Sequence, residues 1–409
     1  MKKIIVTFLI IAFMLVNIGV IPSFAAVNED AYNAATVTKI MDKTNVMSLK
    51  AKGSILIDGP SGTTLLEKNS HEKLPLASVT KVMTMLLVME AIDSGKLTYD
   101  TKVTISDHSY SMGGSQVWLE PGEVFTVDEL LKAVAIHSAN DASVALGEAV
   151  AGSEDAFVAM MNQRAKELGM NDTNFLDSSG LTDEGHYSSA YDVAVMSREL
   201  LTKHPKIQDY TKTWHALFRE NTPGKKPVSL DNTNKLVRYY EGTIGLKTGS
   251  TSKAGFCLSA AAERNGQMLI SVVLGEPDSN TRFAESRKLL DYGFANFETT
   301  KVDNKGDEVQ TVTVKKGLKL SVKALFKADV NLLIKKGEKA KVKKTVEIDN
   351  NITAPVKAGQ KIGIVTYTLE DKEVGTVELV AAEDVQRASF LRLFFRMILE
   401  WFGIGRTPS

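Results

Sequence analysis

The chain has 409 residues, with 49 Lys and Arg balanced by 49 Asp and Glu, 44% hydrophobic and 24% charged residues. A formal charge of zero supplies no bulk attraction to nucleic acid, and this composition excludes disordered, collagen-like and polytopic membrane chains. Cys257 is the sole cysteine, so an internal disulfide, a cysteine zinc cluster and a C-x-x-C redox pair are excluded as well.

The N-terminus carries Lys2-Lys3, an apolar run from Ile4 to Val20 and small residues at Ser23 and Ala25. That order predicts a secretory signal peptide over residues 1–25, cleaved after Ala25. An uncleaved anchor is the alternative, because the run approaches the ~20 residues of a spanning helix; the small-x-small site directly behind it favours cleavage. Export without a disulfide pair suits the outer face of a bacterial cytoplasmic membrane. Residues 26–45 are polar and aperiodic and read as a linker.

Strand character begins at Ser54-Ile55-Leu56-Ile57, with a turn at Asp58 to Gly62 and a return through Thr63 to Glu67, a predicted hairpin. Val79, Val82, Met83, Leu86 and Met89 then recur at helical spacing, and Thr126-Val127-Asp128-Glu129 is a capping box opening a second helix. Further helices are predicted over 142–151 and 155–168. Strands return at 256–262 and 268–274 around Asn265-Gly266, a hairpin signal, and a closing helix runs from Arg282 to Phe297. This order predicts an α+β region over residues 46–298 whose antiparallel sheet is built from both ends.

From 301 to 384 short alternating segments such as Val309 to Val314 and Lys361 to Thr368 predict a small, lysine-rich all-β domain, read as a spacer. Residues 386–404 are predicted to form an amphipathic helix. Ser389, Arg392, Arg396 and Glu400 share a narrow polar stripe, and Phe390, Leu391, Phe394, Phe395, Ile398, Trp401 and Phe402 cover the rest. This predicts an in-plane membrane anchor with its arginines toward headgroups; a helix packed on its own protein is the bland alternative.

Three short motifs carry chemistry. Ser78 and Lys81, three apart at the start of a helix, can act as nucleophile and base: the helix N-terminus favours developing negative charge, and a desolvated lysine loses its proton near neutrality. Ser138 and Asn140, between two predicted helices, offer a hydroxyl for proton relay and an amide to hold a carbonyl. Lys247 and Thr248, just ahead of the first late strand, can bind a carboxylate, and Gly249 allows a backbone to approach. Taken singly, each also reads as a capped helix or a turn; in this order they form one known set.

The segments 73–81, 138–145 and 245–249, with Ser179-Gly180-Leu181 and Leu289 to Phe294, resemble the low-molecular-mass penicillin-binding proteins that are serine-type D-alanyl-D-alanine carboxypeptidases, peptidase family S11. The resemblance spans the whole α+β region and extends to the β domain and terminal helix. It implies a transpeptidase-like catalytic domain, a five-stranded antiparallel sheet flanked by helices. It also implies Ser78 as acylated nucleophile, Lys81 as general base, Ser138 and Asn140 as proton-transfer and orienting groups, and Lys247 and Thr248 as carboxylate ligands. The backbone N–H groups of Ser78 and Ser250 would form the oxyanion hole. The implied substrate is the pentapeptide stem of peptidoglycan, with β-lactams as covalent inhibitors and no cofactor or metal. One departure is Ile244, where family members often carry aspartate.

Other readings differ by specific residues. A class A β-lactamase needs a Glu-x-x-Leu-Asn segment, which does not occur between Asn140 and Lys247. A D,D-endopeptidase would use the same residues on cross-links, and a penicillin-binding wall sensor would keep the fold without turnover. A zinc peptidase would need a compact His-Glu-x-x-His type spacing, which the six histidines do not provide. His186 reads as a structural or substrate-loop residue and Cys257 as a buried strand residue.

Overall fold

The computed structural model describes residues 47–182, 184–220 and 224–402. The predicted signal peptide and linker lie outside the described residues. Strands β1 (Gly53–Asp58) and β2 (Thr64–Lys68) form the predicted hairpin, with a bulge between Leu56 and Ile57. The late strands are β3 (Thr243–Thr251), β4 (Gly255–Arg264) and β5 (Gln267–Glu276). All pair antiparallel in the order β2-β1-β5-β4-β3, so the first strand lies against the last.

Both faces of this sheet are covered. Ile55 and Ile57 join the core under the helical block, whereas Leu56 joins Leu258, Leu269, Leu289 and Leu290 beneath the closing helix. Alternate side chains of a strand point to opposite faces, and burial of both explains why β1, β4 and β5 read as nearly continuous apolar runs. At the tip of the β4–β5 hairpin, Asn265 and Gly266 both have positive φ, 52° and 77°, the backbone a tight two-residue turn of this twist requires.

The helices are α1 (Lys81–Asp93), α2 (Val127–Lys132), α3 (Asn140–Ala151), α4 (Glu154–Glu167), α5 (Ala190–Lys203) and α6 (Ser279–Asn296). The Thr126–Glu129 capping box is formed in both directions. Helix α1 follows the predicted helical spacing and is buried on every side from Lys81 through Met89, as befits a central helix. Helix α5 was not anticipated from sequence. Its signals are a Ser189 cap accepting from the Asp192 N–H and apolar residues at 193, 196, 200 and 201. It packs against α1 and the sheet.

Beyond α6 comes β6 (Phe297–Asp303), which pairs with β9 (Val330–Lys335). A second five-stranded sheet contains β7 (Glu308–Thr313), β8 (Ser321–Phe326), β10 (Lys343–Ile348), β11 (Lys361–Leu369) and β12 (Lys372–Ala381), in the order β7-β8-β12-β11-β10. Its core is built by Val322, Phe326, Ile334, Val365, Tyr367 and Leu379. The fold is thus α+β followed by a small all-β domain and the terminal helix α7 (Phe390–Trp401).

Helix α7 is shorter than the predicted 386–404, and residues 403–409 lie outside the described set. Arg396 was expected to face headgroups. Instead its guanidinium donates to the carbonyls of Gly317 (2.7 Å) and Leu318 (2.9 Å). The planar fork fits two adjacent carbonyl oxygens of a loop. Arg396 of the polar stripe therefore leans on the protein while Arg392 stays exposed, and the apolar arc faces outward, with Phe390 and Trp401 81% and 82% exposed. This is the reverse of an ordinary docked amphipathic helix.

Candidate active site

Ser78 lies in a 3-10 turn, Ala77–Thr80, that runs directly into α1. Ala77 adopts a left-handed φ of 48°, an unfavourable state for a residue with a Cβ. The turn is held from behind: Thr80 donates to the Ala77 carbonyl and contacts Nε2 of buried His186, whose Nδ1 accepts from the Leu176 N–H. His186 is therefore a structural support of the nucleophile turn. Asn140 begins α3, and Lys81 stands between these two elements at the start of α1. The Lys81 Nζ donates to Ser78 Oγ (2.9 Å), Asn140 Oδ1 (2.6 Å) and the Ser179 carbonyl (2.7 Å). Burial pulls its pKa down to about 7, with Asp177 and Asp141 opposing the shift. Much of the lysine is thus neutral at neutral pH, and its lone pair lies within reach of the serine proton.

Asn140 is fixed at its other end, where its amide donates to the Gly113 carbonyl (2.7 Å). Ser138, two residues earlier, is 6% exposed and left-handed, with φ 67°, where the chain turns from the helical segment 127–137 into α3. Such a conformation costs on the order of 1–3 kcal/mol and persists only under external constraint. The neighbouring Asp141 supplies one. Its buried carboxylate accepts from the N–H groups of Val117, Leu119 and Ala142, stitching the 115–119 loop to the motif.

The Lys247-Thr248-Gly249 segment was expected just ahead of a strand and is instead inside the edge strand β3. Its apolar signal is weak because polar residues of the site interrupt it. A Cβ on Gly249 would stand 2.6 Å from the Leu76 carbonyl and 2.9 Å from the Ser78 N, so the backbone that crowds this glycine is the nucleophile turn of the same chain. Lys247 is buried, donates to the Thr248 carbonyl (2.9 Å), and is held well below its ordinary pKa by burial, Lys81 and Arg282. Thr248 Oγ1 donates to Thr233 Oγ1 at 2.7 Å. Ser250 is exposed on the same strand. Ile244, at the departure from the family pattern, is buried and accepts the Thr211 hydroxyl on its carbonyl.

Two site residues escaped the sequence reading. Arg282, from α6, donates to the carbonyls of Gly249 (3.1 Å) and Cys257 (3.4 Å), and burial lowers its pKa to about 10. It adds a third cation beside Lys81 and Lys247, a concentration of positive charge that suits an anionic group. Asp177 organises the loop that carries the Ser179 carbonyl. Its Oδ1 accepts from the Ser179 and Gly180 N–H groups and its Oδ2 from Thr182. Burial opposes its ionisation, but the hydrogen bonds from Thr182 and Ser179 favour the carboxylate and the pKa lies at about 2. Gly180, with φ 81°, fits only without a side chain, because a Cβ would lie 1.9 Å from the Ala77 carbonyl. The signal was an Asp-Ser-Ser-Gly turn. Cys257 is buried against Pro75, and burial raises its thiol to about 11, which leaves it unreactive.

A serine hydroxyl paired with a partly neutral lysine, beside a cluster of buried cations, defines a serine hydrolase of the acyl-enzyme class. The chain belongs to the D-alanyl-D-alanine carboxypeptidase family, peptidase family S11, whose model matches residues 33–278; the C-terminal domain model of penicillin-binding protein 5 matches 297–387. It is 43% identical over 360 residues to D-alanyl-D-alanine carboxypeptidase DacF of Bacillus subtilis, covering 88% of this chain and 92% of that one. Penicillin-binding protein 5 from Haemophilus influenzae superposes with a TM-score of 0.74 at 34% identity, covering 84% of this chain and 99% of that structure. The ampicillin-bound penicillin-binding protein D2 of Listeria monocytogenes gives 0.55 at 32% identity, over 61% of this chain and 99% of its own.

Proposed function

We propose that the carboxypeptidase reaction of this chain runs through an acyl-enzyme on Ser78 and releases the terminal D-alanine of peptidoglycan pentapeptide stems. Neutral Lys81 takes the Ser78 proton as Oγ bonds to the carbonyl carbon of the penultimate D-alanine. The backbone N–H groups of Ser78 and Ser250 receive the oxyanion. The C–N bond breaks as the proton passes, with Ser138 as relay, to the amine of the leaving D-alanine. Water then adds to the ester, the Ser78 Oγ–C bond breaks and the proton returns to the serine. Asn140 orients Lys81, and Lys247 with Thr248 binds the terminal carboxylate, whose charge also relieves the repulsion between the buried cations.

The observation that carries this reading is the 2.9 Å contact from Lys81 to Ser78 on a lysine brought to about 7 by burial. β-lactams would acylate the same serine. The test is D-alanine release from a peptide ending in D-Ala-D-Ala, with Ser78→Ala as control. Release that survives in the control removes Ser78 as nucleophile; penicillin acylation without release favours an endopeptidase or a sensor.

We also propose that the enzyme works on the outer face of the cytoplasmic membrane, held by α7. Supporting this is the outward apolar arc of α7, the arrangement of an interfacial helix. Deletion of residues 389–409 should release the protein from membranes on sedimentation.

A further inference from the structure

Helix α7 is bound to one loop of the β domain. Besides the Arg396 fork on the Gly317 and Leu318 carbonyls, the Leu318 N–H donates to the Gln386 carbonyl (2.7 Å) and the Ala388 N–H to the Lys316 carbonyl (2.9 Å). The chain entering the helix and the helix itself therefore both grip residues 316–318. That same loop exposes two leucines, Leu318 at 40% and Leu320 at 61%. Exposed cations surround them: Lys315, Lys316, Arg387 and Arg392. Among the described acids nearby, Glu383 pairs with Lys319 and Asp384 with Lys357.

From this arrangement we propose that the membrane-binding surface is composite: the apolar arc of α7 and the 315–320 loop enter the interface together, on a bilayer bearing anionic headgroups. This rests on the reading of α7 as the anchor. Arg396 acts as a rivet between the two parts. The helix is then no flexible tether, and the β domain meets the bilayer directly at a tilt fixed by the rivet. Charge complementarity selects the occupant, because an apolar patch rimmed by exposed Lys and Arg that form no ion pair among the described residues matches acyl chains below anionic headgroups.

The test uses the chain without its signal peptide, co-sedimented with vesicles of phosphatidylcholine alone or mixed equally with phosphatidylglycerol. Leu318→Ser with Leu320→Ser, leaving α7 intact, should lower the partition coefficient about 10-fold or more, the scale expected for losing a few buried methylenes. Lys315→Gln with Lys316→Gln should weaken binding to the anionic vesicles alone. A thermal midpoint matching the parent protein establishes that each variant is folded. As a second readout, an environment-sensitive fluorophore on Leu320→Cys should brighten and shift blue on vesicles; Cys257 is buried and stays unlabelled. If deletion of 389–409 abolishes binding while the leucine pair binds as the parent does and the probe at 320 is unchanged, the composite surface is overturned and the anchor stands. If the deletion leaves binding intact, the anchor reading itself fails, and this inference with it.

Discussion

In the catalytic region Lys81 and Lys247 are sealed inside the protein, each without a carboxylate at hydrogen-bond distance among the described residues and each pushed below its ordinary pKa. In the β domain Lys323, Lys327 and Lys361 reach into solvent and pair with Glu308 and Glu378. One residue type thus meets two environments. Water lets the β-domain lysines keep full charge, and their pairing adds little because solvent screens it. Burial makes the charge of the site lysines costly, which fits the proposed roles of Lys81 as proton acceptor and Lys247 as ligand for an anion.

Substitutions should separate the two populations sharply. Lys81→Met removes the base and should lower penicillin acylation at least about 10³-fold, within the range for a positioned acid–base group; stopped-flow acylation measures it. Gly180→Ala places a Cβ against the Ala77 carbonyl, and should lower the thermal midpoint and slow acylation together, because the clash is with rigid backbone. Asp177→Asn keeps the shape but weakens the clamp on the 179–182 backbone. Acylation should drop roughly 10- to 100-fold, the cost of a misplaced base, with melting close to that of the parent protein. Lys327→Ala, by contrast, should move the midpoint by about 2 °C or less.

The pH dependence sharpens the same contrast. The folded pKa of Lys81 is lowered from 10.5 to about 7, so its basic form dominates above that value. Acylation rates should fall about tenfold per unit below pH 7 and level off above it. The unfolded chain holds this proton up to about 10.5, so burial of Lys81 opposes folding fully below pH 7 and progressively less from pH 7 upward. A flat acylation profile between pH 5 and 8 would remove Lys81 as the base.

What could be read from sequence were features encoded locally. The hairpins, the Thr126–Glu129 box and the three motifs are each contained in a few adjacent residues, and the motifs point to the same chemistry wherever they fold. Arg282 was hidden because its importance depends on carbonyls 33 and 25 residues away in sequence. Asp177 was hidden because its product, a carbonyl aimed at Lys81, is backbone and carries no residue signature. Strand β3 was missed, its motif being placed just ahead of a strand, because Lys247, Thr248 and Gly249 obey the demands of the site before those of a strand. Arg396 was placed on the wrong side because a helical wheel shows which residues share a face, and not which face has carbonyls to meet it.

The pairing of β1 with β5 sets residues 53–58 against 269–274. The central sheet therefore cannot close until nearly the whole catalytic sequence is available, and the first strand must wait for its partner through more than 200 residues of chain. Contacts of such sequence separation form slowly. The delay extends to the active site: Ser78 follows the opening hairpin and Lys247 lies in one of the late strands, so the two meet only after the intervening chain is in place.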